Sequence, residues 1–391
     1  MTATIETTRP AVAAAAPAPL YLDHAATTPC RPEVIAALLP FLGEQFGNAS
    51  GVYGLGRTAR AALDDARAAV AAVLGCAPDE VIFTSGGTES DNLALRGVAT
   101  AARRAGRGGH IVVSAVEHHA ILHAADELEQ QGFAVTRVGV DRYGQVAPEA
   151  VAAALRPDTC LVTIMLANNE VGTVNPLAAI AAVARARGIV VHTDAVQAPG
   201  ALALDVRALG VDLLSLSGHK FYGPKGVGVL YARRGVAFVP QQQGGGQERG
   251  QRAGTENLAG IVGLATALTL AEAERPTVAP RLAALRERLR AGLAAAIPGL
   301  IVNGHPIDHL PGTLHLSLPG VDGGALLRGL DALGIAASAA SACSARATGQ
   351  SHVLTALGID PYTSGASLRL TLGRTTTVAE IDRAVAGILG V

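Results

Sequence analysis

An α/β fold is what this sequence predicts: a mostly parallel seven-stranded sheet with helices on both faces, followed by a smaller α+β C-terminal domain. Two observations carry the prediction. From residue 21 to about 263, short runs rich in valine, isoleucine and leucine alternate with alanine-rich stretches long enough for helices. The residues with unusual chemistry fall just after those β-rich runs, at the strand ends where open parallel sheets collect ligands.

Taken in order, residues 1–18 are rich in Ala, Pro and Thr and read as a flexible tail. Glu6 and Arg9 cancel where a secretory signal would need a basic start, and the apolar run is short. The predicted strands are 81–84, 110–114, 134–138, 161–165, 190–193, 213–217 and 228–231, with helices at 58–73, 89–105, 120–131, 148–155 and 176–187. Residues 241–250, three glutamines and three glycines followed by Gln247, Glu248, Arg249 and Gly250, have neither period and read as a mobile or ligand-facing loop. Residues 260–296 read as long helices, with Pro276 and Pro280 marking a break. Strands at 312–318 and 367–372 and helices at 321–333 and 378–389 complete the second unit. The predicted division is a tail over 1–18, a large domain over 19–263 and a small domain over 264–391.

Composition narrows the function. A chain of 391 residues exceeds one typical domain, and a formal charge of -1 leaves no basic surplus for direct nucleic-acid binding. No stretch approaches 18 strongly apolar residues free of charge, so no membrane span is expected. Cys30, Cys76, Cys160 and Cys343 are too widely spaced for a zinc pattern, so no metal site is expected and a reducing, cytoplasmic setting fits best.

The strongest chemical signal is Ser217-Gly218-His219-Lys220, which directly follows an apolar run. A lysine at a strand end beside hydroxyl and imidazole groups suits a Schiff base with an aldehyde cofactor, and an enclosed electropositive site would lower its pKa. Asp194, at the end of an earlier strand, suits the pyridine nitrogen of pyridoxal phosphate, with Gln197 close enough to donate to the ring hydroxyl; a helix cap is the alternative for Asp194. Thr84-Ser85-Gly86-Gly87-Thr88-Glu89-Ser90 joins a strand to a helix start and reads as a phosphate cradle or as ordinary capping, and Ser217 and His219 lie at a strand end able to add contacts. His118 or His119 is placed to lie over a ring and move protons. Asn168 and Asn169 either hold ligand oxygens or fix a turn. Arg369 alternates with apolar neighbours, so it either faces a cleft as a carboxylate clamp or points to solvent. Cys343 sits among small residues: a thiolate on a loop able to swing into a cleft, or a buried inert thiol.

Together these stretches resemble the cysteine desulfurases of the NifS/IscS type, within the pyridoxal-phosphate-dependent fold type I class. The matching segments include Tyr21-Leu22-Asp23-His24, the run from Phe83 to Asn92, Glu117-His118, the run from Asn168 to Gly172, that from His192 to Gln197, Ser217 to Lys220, the two runs Gly245 to Gly250 and Arg252 to Asn257, and Ser341-Ala342-Cys343. They stand in family order and cover nearly the whole chain after the tail. The resemblance implies a Schiff base on Lys220, His118 stacked on the ring, Asp194 on its nitrogen and Gln197 on its hydroxyl. It implies phosphate contacts from the Gly87–Thr88 turn, Ser217 and His219, and from Thr255 of the partner in a homodimer with shared active sites. Asn169 and Arg369 would hold the carboxylate of L-cysteine, and Cys343 would take the sulfur as a persulfide, leaving alanine. The sulfur would pass to an acceptor protein, an iron–sulfur scaffold or a thio-modification enzyme. The chain departs from common family residues at Ala49, Tyr53, Gln243, Ala340 and 348–351, as a paralogue serving thio-modification would. A selenocysteine lyase, an aminotransferase on the same scaffold and a cofactor-free sulfur-relay protein are the competing readings.

Overall fold

The computed structural model describes residues 19–339, 351–360 and 367–391. Cys343, and with it the predicted nucleophile loop, lies outside the described residues.

Seven strands form the central sheet, in the spatial order Val81–Thr84, Gly228–Ala232, Leu213–Ser217, Val190–Asp194, Thr159–Thr163, His110–Ser114 and Ala134–Val138. Gly228–Ala232 runs antiparallel to both its neighbours, and the other pairings are parallel. The order reverses between Thr159–Thr163 and His110–Ser114, which opens a crevice at the carboxyl ends. Alternation along the strands builds two apolar layers. Val112, Val162, Val191 and Leu214 face one set of helices, and Ile111, Val113, Leu161 and Leu213 face the other. Burying each such side chain contributes about 1.5–3 kcal/mol, so these layers set the position of every strand end.

A second core forms around an antiparallel sheet of Ser367–Thr371, Thr313–Ser317 and Ile301–Asn303. The chain start belongs here. Leu20–Tyr21 pairs with Ile335–Ala336, and Leu20 and Leu22 pack with Leu314, Leu316 and Leu370. Residues assigned by sequence to the large domain thus contribute to the smaller core, because their partners are remote in sequence.

One expectation is corrected outright. Leu258–Ala296 is a single helix of 39 residues that contains both Pro276 and Pro280. Each proline removes one N–H from the ladder, yet burial holds the helix at both ends. Ile261, Leu264 and Leu268 lie in the first core, and Leu282, Leu285, Leu289 and Leu293 in the second. No helix among the described residues is long and apolar enough to cross a membrane.

The glycine-rich loop is also not loose at its end. Glu248 is buried and accepts two 2.7 Å bonds from Arg67, whose Nη1 also reaches the Val81 carbonyl. The same carboxylate accepts from the Phe83 amide at 3.0 Å. Both Glu248 (φ 45°) and Arg249 (φ 59°) adopt left-handed backbone to make this turn. Composition reads as a mobile or ligand-facing loop here, whereas a buried ion pair holds the end of the loop against the sheet edge. Removing one partner of a buried, hydrogen-bonded pair leaves the other charge stranded. Glu248→Ala is therefore expected to lower stability by about 3–5 kcal/mol, read by denaturant unfolding.

Candidate active site

The crevice at the carboxyl edge is a cavity of about 320 Å³, and most of the residues selected from sequence line it: Gly87, Thr88, His118, Asn169, Asp194, Gln197, Ser217, His219, Lys220 and Arg369. Their arrival follows from strand ends. Asp194 closes Val190–Asp194, Ser217 closes Leu213–Ser217, and the next residues, Gly218–Lys220, turn as a short 3-10 helix that carries the lysine inward. Gly86 (φ 158°) makes the sharp entry into helix Gly87–Arg104, a backbone region essentially restricted to glycine. A Cβ on Gly87 would lie 2.8 Å from Val196, so only glycine lets this helix start approach the Asp194 loop so closely.

Lys220 Nζ donates to the carbonyls of Ala25 (2.6 Å) and Ala26 (2.9 Å), and Gln197 Nε2 donates to Ala25 at 3.1 Å. The segment after Leu22 thus forms one wall of the cavity. Burial pushes the Asp194 carboxyl up, opposed by His118 and Lys220, while its Oδ1 accepts from the Val196 amide at 2.9 Å. Burial also pushes His118 down. His118 Nδ1 accepts from the Ala120 amide at the start of helix His119–Gln130, so the neutral ring carries its proton on Nε2. His219 is pushed down to about 4, first by burial and then by Lys220, and shares a 3.0 Å contact with Thr27.

The ambiguous doublets separate. Asn168 is the turn-former: its Oδ1 accepts from the Glu170 and Val171 amides, and its Nδ2 reaches the Val116 carbonyl. Asn169 is left facing the cavity. Of the two histidines, His118 lies within 4.8 Å of the Asp194 carboxylate, whereas the His119 ring stacks with His123 (4.9 Å) and packs on His352 (4.7 Å). Arg369 faces inward and not to solvent. It donates to Asp23 at 2.7 Å and to the Asn169 carbonyl at 3.1 Å, and its buried Nε has no protein partner. Thr255 is exposed, away from this cavity, on the segment that Arg252 ties to Glu89 at 2.8 Å.

The chain matches the family model for aminotransferase class V over residues 20–384. It is 49 % identical over 364 residues to a cysteine desulfurase IscS of Methanosarcina thermophila, covering 93 % of this chain and 89 % of that protein. The fold superposes on a solved NifS-like protein with a TM-score of 0.89 at 37 % identity, covering 95 % of this chain and 98 % of that one. A solved SspA in complex with cysteine gives 0.80 at 33 % identity, covering 91 % and 99 %.

The chain belongs to the class-V aminotransferases, among the cysteine desulfurases of the IscS/NifS type. It is an α/β enzyme of a pyridoxal-phosphate-dependent family. Three buried acids at the site of this cysteine desulfurase lie inside the matching segments but had no role assigned to them from the sequence. Asp91 is buried on the inner face of helix Gly87–Arg104 and lines the cavity. Glu117 is buried beneath His118 and accepts from the Met165 amide at 2.7 Å. Glu170 accepts a 2.5 Å bond from Ser351, which caps the short helix His352–Ala356. The periodic position of Asp91, polar on a face otherwise apolar, is the trace that reading the helix by faces would have found.

Glu170 sets a pH dependence. Burial raises its carboxyl from 4.5 to about 7, against the Ser351 hydrogen bond and Arg369. The folded state therefore binds the proton more tightly than the unfolded chain, so the Glu170 contribution to stability falls as pH rises from about 4.5 through about 7. Glu170→Gln is expected to remove that slope, on the order of 3 kcal/mol across the window, measured as the difference in unfolding free energy between the two proteins from pH 4.5 to 7.5.

Proposed function

We propose that this chain converts L-cysteine to L-alanine with pyridoxal phosphate held in the 320 Å³ cavity, the sulfur leaving as a persulfide on Cys343. The observation that carries the reading is the convergence of Lys220, Asp194, His118 and Arg369 on one cavity from four separate stretches of sequence. The site is short of charge partners in the pattern this cofactor would supply. Burial raises the Asp194 carboxyl, and a pyridinium N–H is the cation that would return it to the ionised form. The first-turn amides of helix Gly87–Arg104 have no intrahelical acceptor, and a phosphate suits them. The unpartnered Arg369 Nε suits an incoming carboxylate.

When bound, the cofactor supplies an electron sink for the substrate α-carbon. The chain supplies the rest. Lys220 would hold the aldehyde carbon covalently, Asp194 the ring nitrogen and Gln197 the ring hydroxyl, while Thr88, Ser217 and His219 would hold the phosphate. Arg369 and Asn169 would orient the substrate carboxylate, and His118 would present the Nε2 proton beside the reacting atoms. Cys343 would take the sulfane sulfur, so that L-cysteine and the thiol become alanine and the persulfide. That sulfur would pass to an acceptor protein of iron–sulfur assembly or thio-modification, in the cytoplasm.

A homodimer completes the reading. Around residues 35–55 the surface exposes Leu39, Leu42, Phe46 and Val52, with Phe46 72 % and Val52 90 % exposed, apolar side chains that a second copy would cover. Thr255, exposed here, would then reach the partner's phosphate site. Phe46→Asp is expected to halve the mass measured by light scattering and to lower activity with it.

The deciding measurement is the visible spectrum of the purified protein, followed by alanine and protein-bound persulfide after adding L-cysteine. Lys220→Ala is expected to lose the covalent chromophore and roughly 10³-fold or more of the rate. Cys343→Ala is expected to keep the chromophore and lose both persulfide and turnover. Undiminished alanine release by Cys343→Ala would instead identify a lyase.

A further inference from the structure

Asp91 is an ionisable group lining the cavity for which the proposed reaction gives no role. It lies on helix Gly87–Arg104, is 1 % exposed and lines the cavity, and its Oδ1 has no hydrogen-bond partner. Its carboxyl, the His118 ring and the Asp194 carboxyl each bring an atom within 4.8 Å of the others.

The groups that face Asp91 come from every element around it, and none is a ready cation: His118, at the start of helix His119–Gln130, is pushed down by burial and carries a neutral ring. From strand Val190–Asp194 comes His192, 3.7 Å from Oδ1, beyond hydrogen-bond reach. Both its nitrogens are occupied by hydroxyls, Thr163 at 2.7 Å and Ser215 at 3.0 Å, and burial pushes it down to about 3, so it is neutral. From strand Leu213–Ser217 comes the Ser215 hydroxyl, which already contacts His192 and works against the rise of the Asp91 carboxyl. The remaining neighbours are Asp194 and Glu117, both acids. Burial and these two carboxyls push Asp91 well above the usual carboxylate range.

Two carboxylates this close, out of water, do not both ionise. Asp194 is the one offered a cation, by Lys220 and by the ring nitrogen the site is built to receive. We propose that Asp91 is a positioning residue: a neutral carboxylic acid behind Asp194 whose O–H is the donor that holds the Asp194 carboxylate oriented toward the cofactor nitrogen. The acceptor is Asp194 itself, reached by a small side-chain rotation or across one water, since Oδ1 is otherwise unsatisfied. Without that donor, Asp194 would turn toward the Val196 amide it already accepts from and hold the ring proton less firmly. The assignment rests on the pyridoxal phosphate reading above.

Asp91→Asn and Asp91→Leu, in the full-length protein, test it. Asparagine keeps a neutral donor, and leucine keeps volume alone. Infrared difference spectra of the cofactor-free proteins, wild type minus Asp91→Asn, are expected to show the C=O band of a protonated carboxyl; carboxylate bands in its place would overturn the proposal. With pyridoxal phosphate bound, the pH titration of the visible band is expected to coincide in wild type and Asp91→Asn. In Asp91→Leu it should shift, and the cofactor dissociation constant should rise roughly 10- to 100-fold, the range for one hydrogen bond to a charged group. An asparagine variant that behaves like leucine, or a leucine variant that behaves like wild type, would also overturn it. If the leucine variant does not fold, the infrared result and the asparagine titration decide. A wild type that takes up no pyridoxal phosphate would refute the cofactor reading, while the infrared comparison would still report the Asp91 proton.

Discussion

Buried carboxyl groups govern this cavity. Asp91, Glu170 and Asp194 line it together with Lys220, Arg369 and His118, Glu117 is buried next to His118 in the chain, and all four acids lie within a few per cent of complete burial. Two unit charges 4.8 Å apart interact by about 3 kcal/mol at an effective dielectric of 20, comparable to burying a large apolar side chain. Such groups are tolerated only if protons, hydrogen bonds or a ligand meet the charge. The Ser351 bond to Glu170, the Met165 amide on Glu117 and the Arg369 pair with Asp23 are the protein's own answers. Asp194 has the Val196 amide, with Lys220 and His118 acting against the rise that burial causes.

The site depends equally on how the two cores are tied together. Arg369 sits on the small antiparallel sheet and reaches the Asn169 carbonyl beside the large one. The chain leaves the small core at Leu22, contributes Asp23 to Arg369, and within four residues supplies the Ala25 and Ala26 carbonyls that hold Lys220. The helix Leu258–Ala296 then runs from one core into the other. Arg369 and Lys220 are therefore set by a shared brace, so a change in the relation of the cores would move both.

Much of this was legible before any coordinates. The strands at 81–84, 110–114, 134–138 and 213–217 appear at their predicted bounds; 81–84, 110–114 and 213–217 are buried throughout, whereas 134–138, at the sheet edge, is only partly buried. Lys220 and Asp194 were visible because each directly follows such a run, and strand ends are where a parallel sheet exposes side chains to one crevice. Pro276 and Pro280 misled, because local propensity cannot see that two separate cores hold the ends of one helix. The end of the glycine-rich loop misled for the same reason: the Arg67 that fixes Glu248 is 181 residues away in sequence.

By itself, then, the sequence determined the alternation of strands and helices, the chemistry present at the strand ends and the family to which the chain belongs. These depend on local period, on motif order and on which side chains exist. Only the tertiary structure decided that Asn168 builds the turn while Asn169 faces the cavity, that Arg369 points inward, and that Asp91 Oδ1 is buried without a hydrogen-bond partner beside Asp194. Those outcomes depend on charge, solvent exclusion and close packing among residues distant along the chain. Such forces act over a few ångströms in space and leave no period in the sequence.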